Sequence, residues 1–208
     1  MRRLLLAIDA SAPSLAAART AALLASRLGA SLDGLYVEDV NLSRLVQHPD
    51  VILIGANRRR VMGSQDVIAS ALRLQEAAAR RGFEEACRRS RLSGAFHVRR
   101  GRVGSELSDA AHGFDLLVVG WRGRADGGVC RDLLEKGRRP LLLVRGMPAE
   151  TLRLAVLKGD AEARALAMVL AENEPVELEA PQQGSSDLLL VLSGPLPEGE
   201  FSCSLLLR

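Results

Sequence analysis

The chain has 208 residues, of which 48% are apolar and 25% charged. That length suits one large domain or two small ones, and the apolar share is enough to bury a core, which excludes disorder for most of the chain. Only 3% of residues are aromatic, which argues against stacking platforms for single-stranded nucleic acid, and 28 basic residues against 25 acidic ones leave a net charge of just +3.

Nearly all the basic residues are Arg; Lys136 and Lys158 are the only lysines. With so weak a whole-molecule field, clusters such as Arg58-Arg59-Arg60 and Arg99-Arg100 read as solvated faces rather than a nucleic-acid surface. Cys87, Cys130 and Cys203 lie far apart, with neither a disulfide framework nor zinc-ligand spacing, which suits a reducing compartment. The apolar run after Arg2-Arg3 ends at Asp9, too soon for a signal peptide, and no run approaches the roughly 18 apolar residues of a membrane span. The expectation is a cytoplasmic protein with no membrane attachment.

Leu4 to Ile8 is a continuous apolar run, the pattern of a strand buried on both faces of a parallel sheet. A helix is predicted from Ser11 to Leu28, with Ser11 as its cap, Pro13 in the first turn and Gly29 as its stop. Leu32 to Val37 follows as a strand, completing a βαβ start that is expected to be right-handed and parallel. Val51 to Ile54 is a strand or a short core segment. Gln65 to Arg91 is a long helix, with Ile68, Leu72, Ala79, Phe83 and Ala86 at helical spacing and Gly82 as a local weak point. Phe96 to Val98 is a strand, and Val103 to His112 a short helix stopped by Gly113. Leu116 to Gly120 is a strongly apolar strand, Val129 to Lys136 a helix, and Leu141 to Val144 a strand.

Residues 1–146 therefore predict an open, doubly wound α/β domain with a five-stranded parallel sheet. Gly146-Met147-Pro148 reads as a linker, after which the order restarts. Strands are predicted at 152–157, 176–178, 188–192 and 205–207, with a helix at 160–172. Residues 151–208 have room only for a reduced α/β half-domain, too small to be stable alone and expected to pack on the first.

In such a sheet a ligand is expected beyond the carboxyl ends of the strands, where strand order reverses. Asp9-Ala10-Ser11 follows the first strand. Gly120-Trp121-Arg122-Gly123-Arg124-Ala125-Asp126-Gly127-Gly128 follows the apolar strand residues 116–119, a glycine-rich turn into a helix that suits either an anion or a tight turn.

The order and residues of 1–146 resemble the universal stress protein family. The resemblance is carried by Leu-Leu-Ala-Ile-Asp-Ala-Ser at 5–11, Ala-Ser-Arg-Leu-Gly-Ala at 25–30 and Leu-Tyr-Val-Glu at 35–38. Asp-Leu-Leu-Val-Val-Gly at 115–120 and Arg-Pro-Leu-Leu-Leu-Val-Arg at 139–145 complete it. It implies a fold related to adenine-nucleotide-binding domains, with many members that bind ATP and many that dimerise; the shorter second unit resembles the tandem members. Asp9, with Ala10 beside it, matches the acid that meets the adenine or ribose end. Val37 matches the position whose backbone meets the base.

ATP-binding members of the family carry Gly, two residues, Gly, nine residues, then Gly with Ser or Thr. Gly120 and Gly123 match the first two glycines, and Gly127 the third. Only Arg124, Ala125 and Asp126 separate Gly123 from Gly127, so the spacer is six residues shorter, up to roughly 20 Å of extended chain. Gly128 occupies the hydroxyl position. Arg122 and Arg124 are loop residues that either face solvent or meet phosphate through their side chains. In the second unit, alignment of Ala155-Val156-Leu157 with Ala7-Ile8-Asp9 places Leu157 at the acidic position, and no glycine-rich loop follows the strand at 188–192.

The expectation is thus a non-catalytic stress-response regulator that acts through protein contacts or self-association, with no cofactor and with weak or lost ATP binding. The alternative is a genuine ATP or AMP sensor using Asp9 and the 120–128 loop. The terminal strands 141–144 and 205–207 are expected to pair within the chain, antiparallel, where family members often pair across a dimer. His48, His97 and His112 lack metal spacing, and Ser11 lacks a triad. Glu76, Glu84 and Glu85 read as surface ion-pair partners of neighbouring arginines, and Cys130 as a small packing residue.

Overall fold

The protein is described from a computed structural model. It covers residues 2–41, 52–54, 60–62, 65–121, 129, 133, 140–145, 153–170, 174–179, 188–192 and 204–207. The elements in chain order are β1 (Arg3–Ala7), α1 (Ala12–Leu28), β2 (Ser31–Asp39), β3 (Ile52–Ile54), β4 (Arg60–Met62), α2 (Gln65–Arg89), β5 (Phe96–Gly101) and α3 (Val103–Ala111). They continue as β6 (Leu116–Gly120), β7 (Leu141–Val144), β8 (Arg153–Leu157), α4 (Ala161–Leu170), β9 (Val176–Leu178), β10 (Leu188–Leu192) and β11 (Ser204–Leu207).

Local chemistry accounts for the α1 boundaries. Ser11 sits in extended backbone and its hydroxyl accepts the Ser14 N–H, satisfying one of the free donors of the first turn. Pro13 lies in that turn, where its missing N–H costs nothing. At the far end Gly29 takes φ 60°, and the N–H groups of Gly29 and Ala30 close back on the last turn. The short helix α3 ends at Ala111, next to the stop expected at Gly113: His112 follows it in right-handed backbone, and the Gly113 N–H closes back on Ala110 O at 3.3 Å.

Among the described residues nine strands form one sheet in the order β5-β2-β1-β6-β7-β11-β10-β8-β9. The five strands of the first half are parallel, as the buried apolar runs predicted. The first half thus takes the doubly wound order, with β2 and β5 on one side of β1 and β6 and β7 on the other. The second half repeats that order, reversed about the β7–β11 junction, with no strand corresponding to β5 among the described residues. The halves join where β11 runs antiparallel to β7, with Leu205, Leu206 and Leu207 opposite Leu143, Leu142 and Leu141. This is the intrachain pairing that the two terminal Leu runs predicted. A separate hairpin of β3 and β4 precedes α2; the sequence offered Val51 to Ile54 as one candidate strand and did not indicate its partner.

Alternation along the strands splits the core into two layers. Leu4, Leu6, Leu116, Val118, Leu142, Leu206, Val191 and Val156 face α1, α2 and α4. Leu5, Leu117, Val119, Leu143, Leu205, Leu190 and Ala155 face the other side, where α3 packs. Both layers run without a break through β7 and β11. Each fully buried Leu contributes about 1.5–3 kcal/mol relative to an exposed one, so the two halves share one core.

β8 repeats β1. Arg153–Leu157 has the same exposed-buried-buried-buried-intermediate pattern as Arg3–Ala7. The Ile8 N–H donates to Leu35 O at 3.0 Å, and the Lys158 N–H donates to Leu178 O at 2.9 Å. Lys158 is therefore the counterpart of Ile8, and Leu157 that of Ala7. This corrects the sequence alignment by two residues, because a run of apolar residues slides along another without penalty until backbone pairing sets the register.

Candidate functional site

A cavity of about 290 Å³ opens past the carboxyl ends of β1, β2 and β6. It lies where the chain, having built β2 and β5 to one side of β1, crosses to build β6 on the other. Crevices form at such points because the two flanking connections leave in opposite directions. Ile8 and Asp9 at the end of β1, Tyr36 and Val37 of β2, Gln75 of α2 and Gly120 of β6 line it, with Ser14 from α1 and Leu107 from α3.

Asp9 begins the turn between β1 and α1. Its Oδ1 accepts the Ser11 N–H at 2.9 Å, and its own N–H donates to Ser14 Oγ at 3.3 Å. Enclosure by the cavity wall pushes the carboxyl pKa up, but the Ser11 hydroxyl and N–H, together with Ser14, outweigh it and hold the group below the usual carboxylate range. Asp9 is thus an anion at neutral pH, at the rim of the cavity and open to solvent. Ala10 follows at φ 64°, a left-handed conformation uncommon outside glycine.

Val37 lies beyond the last residue of β1. In a parallel strand alternate residues bond to opposite neighbours. Gly34 donates its N–H to Ala95 O on the β5 side, whereas Leu35 O accepts from Ile8 on the β1 side. Val37, two residues past Leu35, therefore presents its N–H and C=O toward the space that β1 vacates, which is the cavity. Among the described residues no other backbone group bonds to either. This donor–acceptor pair exists because β2 runs on to Asp39 alongside β5, two residues past the end predicted from its apolar pattern.

Gly120 lines the same cavity, with a packing role of its own. A Cβ there would lie 2.4 Å from the Pro13 carbonyl carbon and 2.5 Å from Pro13 O and Ser14 N. The first turn of α1 sits directly on β6, so this position requires glycine with or without a ligand. Arg122, Gly123, Gly127 and Gly128 lie outside the described residues, as do most of the helix expected at 129–136, Cys130, Cys203 and His48. Of the expected site, the structure brings Asp9, Val37 and Gly120 to one cavity and places Ala10 in the turn beside it. Sequence reading missed Tyr36 and Gln75. Tyr36 is buried, and its pKa is raised by burial and then by the charges of Glu38, Glu76 and Asp9. The Gln75 Nε2 donates to Asp9 O at 3.0 Å across 66 residues of sequence, a contact no local pattern encodes.

Elsewhere, Arg80 pairs with Glu76 at 3.0 Å, and Arg88 and Arg89 pair with Glu85, as the helical spacing predicted. His97 is exposed on the edge strand β5, 3.7 Å from Asp33. Cys87 is buried and free, its thiol pKa raised by that burial and by nearby Asp33 and Glu84. Among the described residues no helix is long and apolar enough to cross a membrane.

A family model described as the universal stress protein family matches residues 1–145. No curated protein sequence matches the chain. Among solved structures, a universal stress protein from Archaeoglobus fulgidus is 11% identical with a TM-score of 0.58, and the match covers 99% of this chain and 97% of that one. At that identity the likeness concerns the fold, and it extends over both halves of the sheet. A protein of the same family from Burkholderia pseudomallei is 23% identical over 68% of this chain and 94% of its own, with a TM-score of 0.48. One from Arabidopsis thaliana, solved with AMP bound, is 13% identical over 70% of this chain and 92% of its own, with a TM-score of 0.47.

Proposed function

The chain belongs to the universal stress protein family, and from that premise we propose that it is a non-catalytic stress-response regulator whose cavity takes the nucleoside end of an adenine nucleotide and binds ATP no more tightly than AMP. The observation that carries this is the pairing of an ionised Asp9 with the outward-facing N–H and C=O of Val37 across one cavity. A carboxylate suits ribose hydroxyls, which are donors, and a backbone donor–acceptor pair suits the edge of a base. A volume of about 290 Å³ lies near the lower bound of the roughly 300–1,000 Å³ usual for small-molecule sites.

The triphosphate end is weaker on sequence grounds, with six residues fewer between Gly123 and Gly127 and Gly128 in place of a hydroxyl. Asp9 is engaged by Ser11 and Ser14 within its turn, an arrangement that orients a carboxylate rather than freeing it as a base. We further propose that residues 1–146 form a complete family domain and 151–208 a reduced second one. The β1-like pattern of β8 and the mirrored strand order support this. In the second half the register puts Gly159 at the position of Asp9, and the next residue, Asp160, caps α4 by accepting the Ala163 N–H at 2.9 Å, so no carboxylate stands at the Asp9 position. The free thiol of Cys87 suits a reducing, cytoplasmic setting.

A second reading, in which the protein works through protein contacts without any nucleotide, draws on Gly120, whose glycine is explained by packing alone. Equilibrium binding of AMP and ATP at equal ionic strength separates the two. Measurable AMP affinity with ATP equal or weaker supports nucleoside-end binding. No binding of either favours the second reading, and ATP at least tenfold tighter than AMP rejects the truncated phosphate end.

A further inference from the structure

The turn after β1 holds two features that bear on the position of Asp9. Ala10 stands in a left-handed conformation at φ 64°, which is unfavourable for a residue that carries a Cβ. The carbonyl of the Asp9–Ala10 peptide, immediately before it, accepts a hydrogen bond from the Gln75 side chain at 3.0 Å. Left-handed backbone at a residue with a Cβ persists only where its surroundings hold it. Within the turn, Ser11 N–H binds Asp9 Oδ1 and Ser14 Oγ accepts the Asp9 N–H. The Ser11 bond closes an Asx turn around the Asp9–Ala10 peptide from within, and Gln75 bonds the carbonyl of that peptide from outside the turn.

The anchor of that group is firm. Gln75 projects from the middle of α2, whose Ala79 and Phe83 are buried in the core layer shared with the sheet and α1, so its reach is set by a packed helix. Gln75 and Asp9 line the same cavity. We propose that Gln75 is a positioning residue for the ligand site: it clamps the Asp9–Ala10 peptide, holds Ala10 in the left-handed turn, and so keeps the Asp9 carboxylate at the cavity. The proposal rests on the nucleoside-binding reading for its ligand, and on the turn geometry alone for the clamp.

Glycine supplies the test, because it adopts the left-handed turn without help. AMP affinity is measured for the full chain and for Gln75→Ala, Ala10→Gly and the double variant, with thermal unfolding of each. Gln75→Ala is expected to weaken AMP about tenfold without lowering the unfolding midpoint materially, and Ala10→Gly in that background to restore most of the loss. A Gln75→Ala affinity within twofold of the parent, or a double variant as weak as Gln75→Ala, overturns the proposal, since a side chain that merely touched ligand would not be rescued by glycine. In parallel, the Ala10 amide resonance of the ligand-free protein is followed by NMR. Gln75→Ala is expected to move it while leaving Ala79 on the same helix in place; an unmoved Ala10 resonance also overturns the clamp. If the parent binds no AMP, the nucleoside reading fails while the NMR comparison still decides the clamp.

Discussion

Replacing Gly120 by Ala introduces one methyl group at the point where β6 meets the first turn of α1. Its carbon would lie 2.4–2.5 Å from three backbone atoms of Pro13 and Ser14, more than an ångström inside normal carbon contact distance. Backbone atoms cannot rotate away as a side-chain tip does, so α1 must shift as a body. That movement strains the Ser11 cap and the packing of Ala17, Ala18 and Ala21, all fully buried. Overpacking of this kind costs about 1–3 kcal/mol, and a backbone obstacle places Gly120→Ala at about 3 kcal/mol. The assay is urea denaturation without nucleotide. With a slope of about 1–3 kcal/mol per molar urea, the midpoint should fall by roughly 1 M or more at unchanged slope. A midpoint unchanged within error would refute the packing explanation and return Gly120 to a purely ligand-related role.

Other consequences follow from the same geometry. Ser11→Ala removes the α1 cap and the Ser11 hydroxyl beside Asp9 and should lower stability by about 1 kcal/mol, read by the same denaturation experiment. Because the folded protein holds the Asp9 pKa below its unfolded value, the carboxylate contributes stability that is fully present above the ordinary carboxylate pKa near 4 and is lost as pH falls through the lower folded value. Urea midpoints measured from pH 6 to pH 2.5 should therefore show an acid-side loss that is smaller in Asp9→Asn. Leu206→Ala truncates a fully buried residue of β11 opposite Leu142. It should cost about 2–5 kcal/mol in a single cooperative transition; two separate transitions would show that the halves do not share a core.

Much of this architecture is legible from residue pattern. Apolar runs of four or five residues mark the central strands because both faces of the sheet are covered, and Ser11, Pro13 and Gly29 bracket α1 through chemistry that acts within one turn. What escaped the sequence is tertiary in origin. Glu38 and Asp39 look like loop residues, yet they extend β2 because β5 lies alongside, and that extension turns the Val37 backbone toward the cavity. The register of β8 against β1 is hidden by interchangeable apolar residues and appears only in the hydrogen bond made by Lys158. Gly120 resembles a phosphate-loop glycine by position, and only the approach of α1 reveals its steric reason. Gln75 carries no signal at all in sequence, because its partner lies 66 residues away.

The central claim is that an ionised Asp9 and the Val37 backbone form a nucleoside site in a chain with a shortened phosphate loop. The direct test is titration calorimetry of the 208-residue chain with AMP at pH 7, beside Asp9→Ala. Saturable AMP binding is expected, weakened at least tenfold in Asp9→Ala while the fold is retained. Absence of AMP binding, or AMP binding indifferent to loss of the Asp9 carboxylate, would contradict it.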